Sequence, residues 1–138
     1  MRVTARVRNG PGLHEAAVRT GDAERRLTIP PKDLGSGSSV NGGELLFLAL
    51  ATCYCNDVYR EAGKRGIAIA SVDVEVVGDF GAEGEAAGRI EYSARVVGSG
   101  SEQELRDLMA TTDRVAEIQN TVRRGVQVTL TRAEVVRG

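Results

Sequence analysis

Residues 41–53 read Asn-Gly-Gly-Glu-Leu-Leu-Phe-Leu-Ala-Leu-Ala-Thr-Cys, and this stretch decides how the chain folds. Asn41, or Ser39 just before it, carries a side-chain oxygen able to satisfy the free amides of a helix start. Strong helix formers then run from Glu44 to Ala62, with Leu45, Leu48, Ala49, Thr52 and Cys53 at helical spacing. The run Leu45 to Ala51 is apolar on every side, which predicts a helix buried all round instead of one lying on a surface. Beyond it Asn56-Asp57-Val58-Tyr59-Arg60-Glu61 turns polar, and Gly63 and Gly66 end the helix. The apolar run is far shorter than the roughly 20 residues that span a bilayer, so no membrane partner is expected.

On the N-terminal side, Val3, Ala5 and Val7 alternate with Arg2, Thr4, Arg6 and Arg8, the period of a half-buried strand. Asn9-Gly10-Pro11-Gly12 forces a turn. Residues 13–20 and 25–29 are two further extended segments joined through Thr20-Gly21-Asp22, so the chain opens with a small antiparallel meander. Residues 30–43, rich in Pro, Gly and Ser, are expected to be irregular. After the helix, residues 67–79 and 88–98 read as strands, with Val72, Val74 and Val76 alternating in one and Ile90, Tyr92, Ala94 and Val96 in the other. Gly81–Gly88 links them as a hairpin loop. Ser101-Glu102-Gln103-Glu104 is a capping box opening a helix to about Ala110. Asp113 starts another helix through Val115, Ile118 and Val122, stopped by Arg123-Arg124-Gly125, and Val126, Val128 and Leu130 alternate in a last strand. The order β-β-β-α-β-β-α-α-β is α+β, with antiparallel sheets packed on a long central helix, in one domain over 1–138.

Composition narrows the function. The chain has 138 residues, 41% hydrophobic and 27% charged, with a net charge of −1. That balance gives no field to hold a nucleic-acid backbone or an anionic membrane surface. Three Tyr, two Phe and no Trp give no base-stacking platform. The single histidine, His14, is followed by Glu15-Ala16-Ala17-Val18, which excludes a His-Glu-x-x-His zinc motif, and two cysteines exclude a four-cysteine zinc site. Gly35-Ser36-Gly37-Ser38-Ser39 lacks the Gly-Lys-Ser/Thr ending of a phosphate loop. No metal and no cofactor are expected. Cys53 and Cys55 lie too close together to form a spaced disulfide framework, and residues 1–9 hold no apolar core of signal-peptide length. These features point to a soluble, cytoplasmic protein in a reducing compartment.

The segment from Asn41 to Cys53, followed by Ala62-Gly63-Lys64-Arg65-Gly66-Ile67, a valine-alternating strand, Asn120 and the Gly125-Val126-Gln127-Val128 stretch, resembles the OsmC/Ohr family. The resemblance implies an α+β fold in which two chains intertwine into an obligate homodimer, with each central helix buried and the active sites at the subunit interface. It also implies an activity, thiol-dependent reduction of organic hydroperoxides in the response to oxidative stress. In such enzymes a cysteine at the Cys53 position attacks the peroxide bond as a thiolate and becomes a sulfenic acid, and a second cysteine on a later helix condenses with it.

Carried over position by position, the resemblance keeps Cys53 as the peroxidatic residue and puts Ala116 where the resolving cysteine stands. The resemblance also implies an arginine from the N-terminal strands and a glutamate from the start of the central helix that together favour the thiolate and orient the peroxide; the glutamate falls on Gly43, with Glu44 one place later, an offset that turns the carboxylate by about 100° on a helix. The family arginine falls near Leu13–Ala16, where His14 is the polar group able to carry positive charge, with Arg8 and Arg19 nearby; alternatively His14 is a partly exposed strand residue. Cys55 sits about 200° around the helix from Cys53, which disfavours a bridge between them and makes it a packing residue or a contact with a partner chain. Two functions follow: a one-cysteine thiol peroxidase that uses Cys53, with Glu44 and His14 as catalytic candidates and an external thiol as reductant; or a non-catalytic OsmC-like dimer that binds a small apolar ligand or senses oxidants through Cys53.

Overall fold

The computed structural model describes residues 1–138, which form two compact units, Met1–Leu46 and Phe47–Gly138. In the first, strands β1 (Val3–Gly10), β2 (Leu13–Thr20) and β3 (Ala23–Leu27) pair antiparallel in sequence order. This is the meander that the alternation predicts. Gly12 and Gly21 make its two turns at φ of +67° and +57°, where a Cβ would be strained. The register sets Val3, Ala5 and Val7 opposite Thr20, Val18 and Ala16, on one face. That face is less covered than a half-buried strand implies, with Val3 59% and Val7 62% exposed, because nothing else in the unit is layered over it. Residues 28–41 are irregular apart from a Pro31–Ser38 bridge, closed by Ser39 Oγ donating to the Pro30 carbonyl at 2.8 Å.

Helix α1 (Gly42–Lys64) starts where Asn41 predicts it. Asn41 Oδ1 accepts from the Glu44 amide at 2.8 Å while Glu44 Oε1 accepts from the Asn41 amide at 3.0 Å, so two free donors are satisfied reciprocally. The helix stops at Gly66, in the left-handed region at φ +66°, where the Ile67 amide reaches back to the Ala62 carbonyl at 3.0 Å. Burial all round is not observed. Leu50, Tyr54, Asp57, Val58, Glu61 and Ala62 form a buried stripe, while Leu48 on the opposite side is 60% exposed. An apolar stretch has no hidden face until something packs on it, and a single chain covers only one side of this helix.

In the second unit, β4 (Ile69–Phe80) and β5 (Ala87–Gly98) form an antiparallel hairpin whose register pairs Val72 with Val96, Val74 with Ala94 and Val76 with Tyr92 on the inner face. The outer face carries the charged pairs Asp73 with Arg95 and Asp79 with Arg89. Inner-face residues pack against Tyr54, Val58 and Ala62 of α1 and against Leu108 of α2 (Glu102–Val115). Gly78 lacks a Cβ because the Phe47 ring occupies that space, and Phe47 stacks on Phe80 with centroids 5.8 Å apart. The Ser101 capping box forms as expected, but α2 runs to Val115, past Ala110, and α3 (Glu117–Arg124) begins after Ala116, not at Asp113. Asp113 instead takes the Tyr92 hydroxyl and the Arg123 guanidinium, tying the end of α2 to both β5 and α3. Gly125 caps α3 at φ +59°. The expected last strand is absent: Val126, Val128 and Leu130 are 58%, 93% and 84% exposed and pair with nothing, since a strand exists only against a neighbouring backbone.

Candidate functional site

The polar half of α1 carries Cys53, Asp57, Arg60 and Glu61 at i, i+4, i+7 and i+8, so all four side chains emerge on one stripe of the helix. Ala116, fully buried at the N-cap of α3, brings Glu117 and the Ile118 amide against that stripe. Gln119 fixes the approach: its Nε2 donates to the Leu50 carbonyl at 2.9 Å, about one turn above Cys53.

Cys53 Sγ donates to Asp57 Oδ2 at 3.6 Å. Asp57 is 6% exposed and pairs through Oδ1 with Arg60 Nη1 at 3.2 Å. The same Nη1 reaches Glu117 Oε1 at 3.1 Å, while Arg60 Nε donates to Glu61 at 3.1 Å, and Lys64 adds a contact to Glu61 at 2.9 Å. One guanidinium thus bridges three carboxylates, in a fork that a lysine could not reproduce.

The charges act on the thiol in a definite direction. Burial pushes Cys53 above the ordinary cysteine value; the Ile118 amide beside the sulfur pulls it down, and Asp57 and Glu117 add to the rise. Cys53 therefore rests as a thiol. Burial also raises Asp57, helped by a hydrogen bond to Glu117 and opposed by the Arg60 charge. Glu117 is held low by its own backbone amide, then by Asp57 and Arg60. A proton on this carboxyl pair accordingly favours Asp57. The ligand atoms of Cys53, Asp57 and Glu117 lie within 4.8 Å of one another, a spacing that would suit a cation. Arg60 already supplies the positive charge there, so the donor set fits a compensated acid pair better than a metal centre.

A family model described as OsmC-like protein matches residues 35–131. The chain belongs to the OsmC-like family. Solved OsmC-like structures share its fold at low identity. An OsmC-like protein from Mycoplasma pneumoniae is 18% identical, with a TM-score of 0.62 over 88% of this chain and 86% of that one. An organic hydroperoxide resistance protein OsmC from Legionella pneumophila is 19% identical, with a TM-score of 0.57 over 89% and 90%. An organic hydroperoxide resistance protein from Elizabethkingia anophelis is 19% identical, with a TM-score of 0.59 over 89% of each chain. No curated protein matches the sequence.

Of the residues singled out in this OsmC-like sequence, Cys53 alone belongs to the cluster. Glu44 lies nine residues earlier on α1 with its carboxylate engaged by Asn41. His14 sits on β2 opposite Asn9, whose Nδ2 contacts His14 Nδ1 at 3.1 Å, beside a cavity of about 560 Å³ lined partly by Arg6, Arg8 and Arg26. Cys55 faces a shallower recess of about 350 Å³ with Thr52, Asn56 and Asp73, and both cysteines are free thiols. Sequence reasoning does not reach Asp57, Arg60 and Glu117: the first two carry a signal, the helical period counted from Cys53 along the polar half of α1, whereas Glu117 comes to the sulfur only through the docking of α3.

Proposed function

We propose that this OsmC-like protein is a one-cysteine thiol peroxidase that reduces organic hydroperoxides. The observation that carries the reading is the Cys53 thiol hydrogen-bonded to Asp57 at 3.6 Å, with the Arg60 guanidinium bridging Asp57 and Glu117 beside it. Cys53 attacks the terminal peroxide oxygen; the S–O bond forms as the O–O bond breaks, sulfur is oxidised by two electrons, and the products are a sulfenic acid and an alcohol. With Ala116 in place of a second cysteine, an external dithiol returns the sulfenic acid to the thiol, releasing water and becoming a disulfide. The resemblance gives parts to Glu44 and His14; because Glu44 is committed to the helix cap, the acid role beside the sulfur passes here to Asp57 and Glu117. Arg60, charged at any physiological pH, supplies the cation that orients the polar peroxide group.

The working unit in this reading is a homodimer in a reducing cytoplasm. Exposed apolar side chains on both units, Val3 and Val7 on the meander, Leu48 on α1, Val128 and Leu130 in the tail, are what a second copy would cover. The test is consumption of cumene hydroperoxide with a dithiol by wild type, Cys53→Ser and Cys55→Ser. Wild type and Cys55→Ser turn over and Cys53→Ser does not. Equal slow consumption by wild type and Cys53→Ser rejects the enzyme.

A second reading, an oxidant sensor, draws on the same missing second cysteine: a sulfenic acid with no resolving partner persists. Dimedone labelling of Cys53 without catalytic turnover would favour it.

A further inference from the structure

Cys53 poses a problem for peroxide chemistry. A thiolate is the nucleophile, yet this sulfur is half-buried beside two carboxylates, surroundings that keep its proton on. The departing alkoxide, for its part, needs a proton delivered as the O–O bond breaks. Both needs meet at one side chain. Asp57 Oδ2 is the atom to which the thiol already points, at 3.6 Å, and the Asp57 side chain is 9% exposed, shielded from bulk water. Its other oxygen is held at 3.2 Å by Arg60, which also holds Glu117 at 3.1 Å, so the carboxyl cannot rotate away. The Glu117 side chain, within 4.8 Å of both the sulfur and Asp57, is 64% exposed and opens the carboxyl pair to solvent.

We propose that Asp57, paired with Glu117 across Arg60, is the proton carrier of the reaction: it takes the Cys53 thiol proton as sulfur attacks and returns it to the alkoxide. This rests on the peroxidase reading above and adds a catalytic residue to it. The step balances. Cys53–SH and R–O–OH become Cys53–S–OH and R–OH; the sulfur lone pair forms the S–O bond, the O–O pair leaves with the alkoxide, and the proton moves from sulfur to oxygen through Asp57 Oδ2. Glu117 is a positioning residue, and Arg60, besides facing the peroxide, holds the Asp57 carboxyl in line. Burial and the hydrogen bond to Glu117 make Asp57 a stronger proton acceptor than an ordinary aspartate, which suits it to a thiol donor.

The test compares two reactions of Cys53 at pH 7 in wild type and Asp57→Asn. Alkylation by iodoacetamide needs only the thiolate, and losing the carboxylate charge lowers the thiol, so labelling rises about threefold. Cumene hydroperoxide turnover needs the carrier, and it falls about 100-fold, within the usual worth of a positioned acid or base. Opposite movements support the proposal. A parallel fall in both rates marks a structural role and overturns it, as does unchanged turnover. Glu117→Gln, altered on the exposed side, gives the same opposite signs at smaller size and stands in if Asp57→Asn does not fold. Inactive wild type overturns the peroxidase reading and this step together; active wild type with equally active Asp57→Asn overturns this step alone.

Discussion

Arg60→Met removes the one cation that Asp57 and Glu117 share while keeping a long apolar stem along α1. Losing one partner of a buried pair costs about 3–5 kcal/mol, and exposed pairs are worth about 0.2–1 kcal/mol. Here the carboxylate side chain is 9% exposed but the guanidinium side chain is 41% exposed, so solvent screens part of the interaction and about 2 kcal/mol is expected. For a chain of this size that lowers the melting temperature by about 6–10 °C. The loss depends on pH. Asp57 lies above the ordinary aspartate value in the fold, so its ionisation opposes folding, and Arg60 holds it down. Without Arg60 that opposition grows at neutral pH and is relieved as pH falls through the raised value and Asp57 takes a proton. Glu61 works the same way from the other sign: Lys64 and then Arg60 hold it low, and wild type loses that stabilisation as pH falls. The gap in melting temperature between wild type and Arg60→Met, followed by circular dichroism, should be widest near pH 7.5 and narrow by pH 5. A gap that stays constant or widens on acidification refutes the assignment of Arg60 as the counter-charge of a buried carboxyl.

Gly78→Ala would place a Cβ 2.6 Å from Phe47 Cζ and 2.7 Å from the Arg89 carbonyl, and since the backbone oxygen cannot yield, the urea midpoint should drop by the equivalent of about 1–3 kcal/mol. Leu108→Ala empties a fully buried site against Val58 and should cost about 2–5 kcal/mol in the same assay; a loss under about 1 kcal/mol would mean that this core is not closed. Ser101→Ala removes the oxygen that accepts from the Glu104 amide at 3.2 Å, and about 1 kcal/mol should go with it. Sedimentation should give twice the 14.7 kDa chain mass, and a monomer would remove the dimer from the account.

The local signals in the sequence were dependable where the chain answers them by itself. Asn41 and Ser101 cap the helices they announce, Gly66 and Gly125 close helices in left-handed conformations, and the alternating valines of β4 face the core. Burial was less legible, because an apolar pattern states what a residue would hide without stating from what. Leu48 and Val7 carry the pattern and remain exposed. The last strand fails for the same reason: Val126 to Leu130 alternate correctly but find no edge to join. At the site, the family pattern points to Cys53, with Ala116 in place of a second cysteine, and to Glu44 and His14, the positions nearest the family's own acid and cation. The acid and cation beside the sulfur are Asp57, Glu117 and Arg60. Two of them are readable from helical spacing alone, whereas Glu117 depends on how α3 docks, through a Gln119 contact that no local pattern encodes.

A single turnover without reductant shows whether Cys53 itself reduces the peroxide. One equivalent of cumene hydroperoxide is added to the reduced protein, dimedone is added, and the labelled peptide and the alcohol product are quantified by mass spectrometry. A dimedone adduct is expected on Cys53 and not on Cys55, with one alcohol formed per chain. Peroxide left intact with Cys53 unlabelled, or a label carried by Cys55, would contradict this.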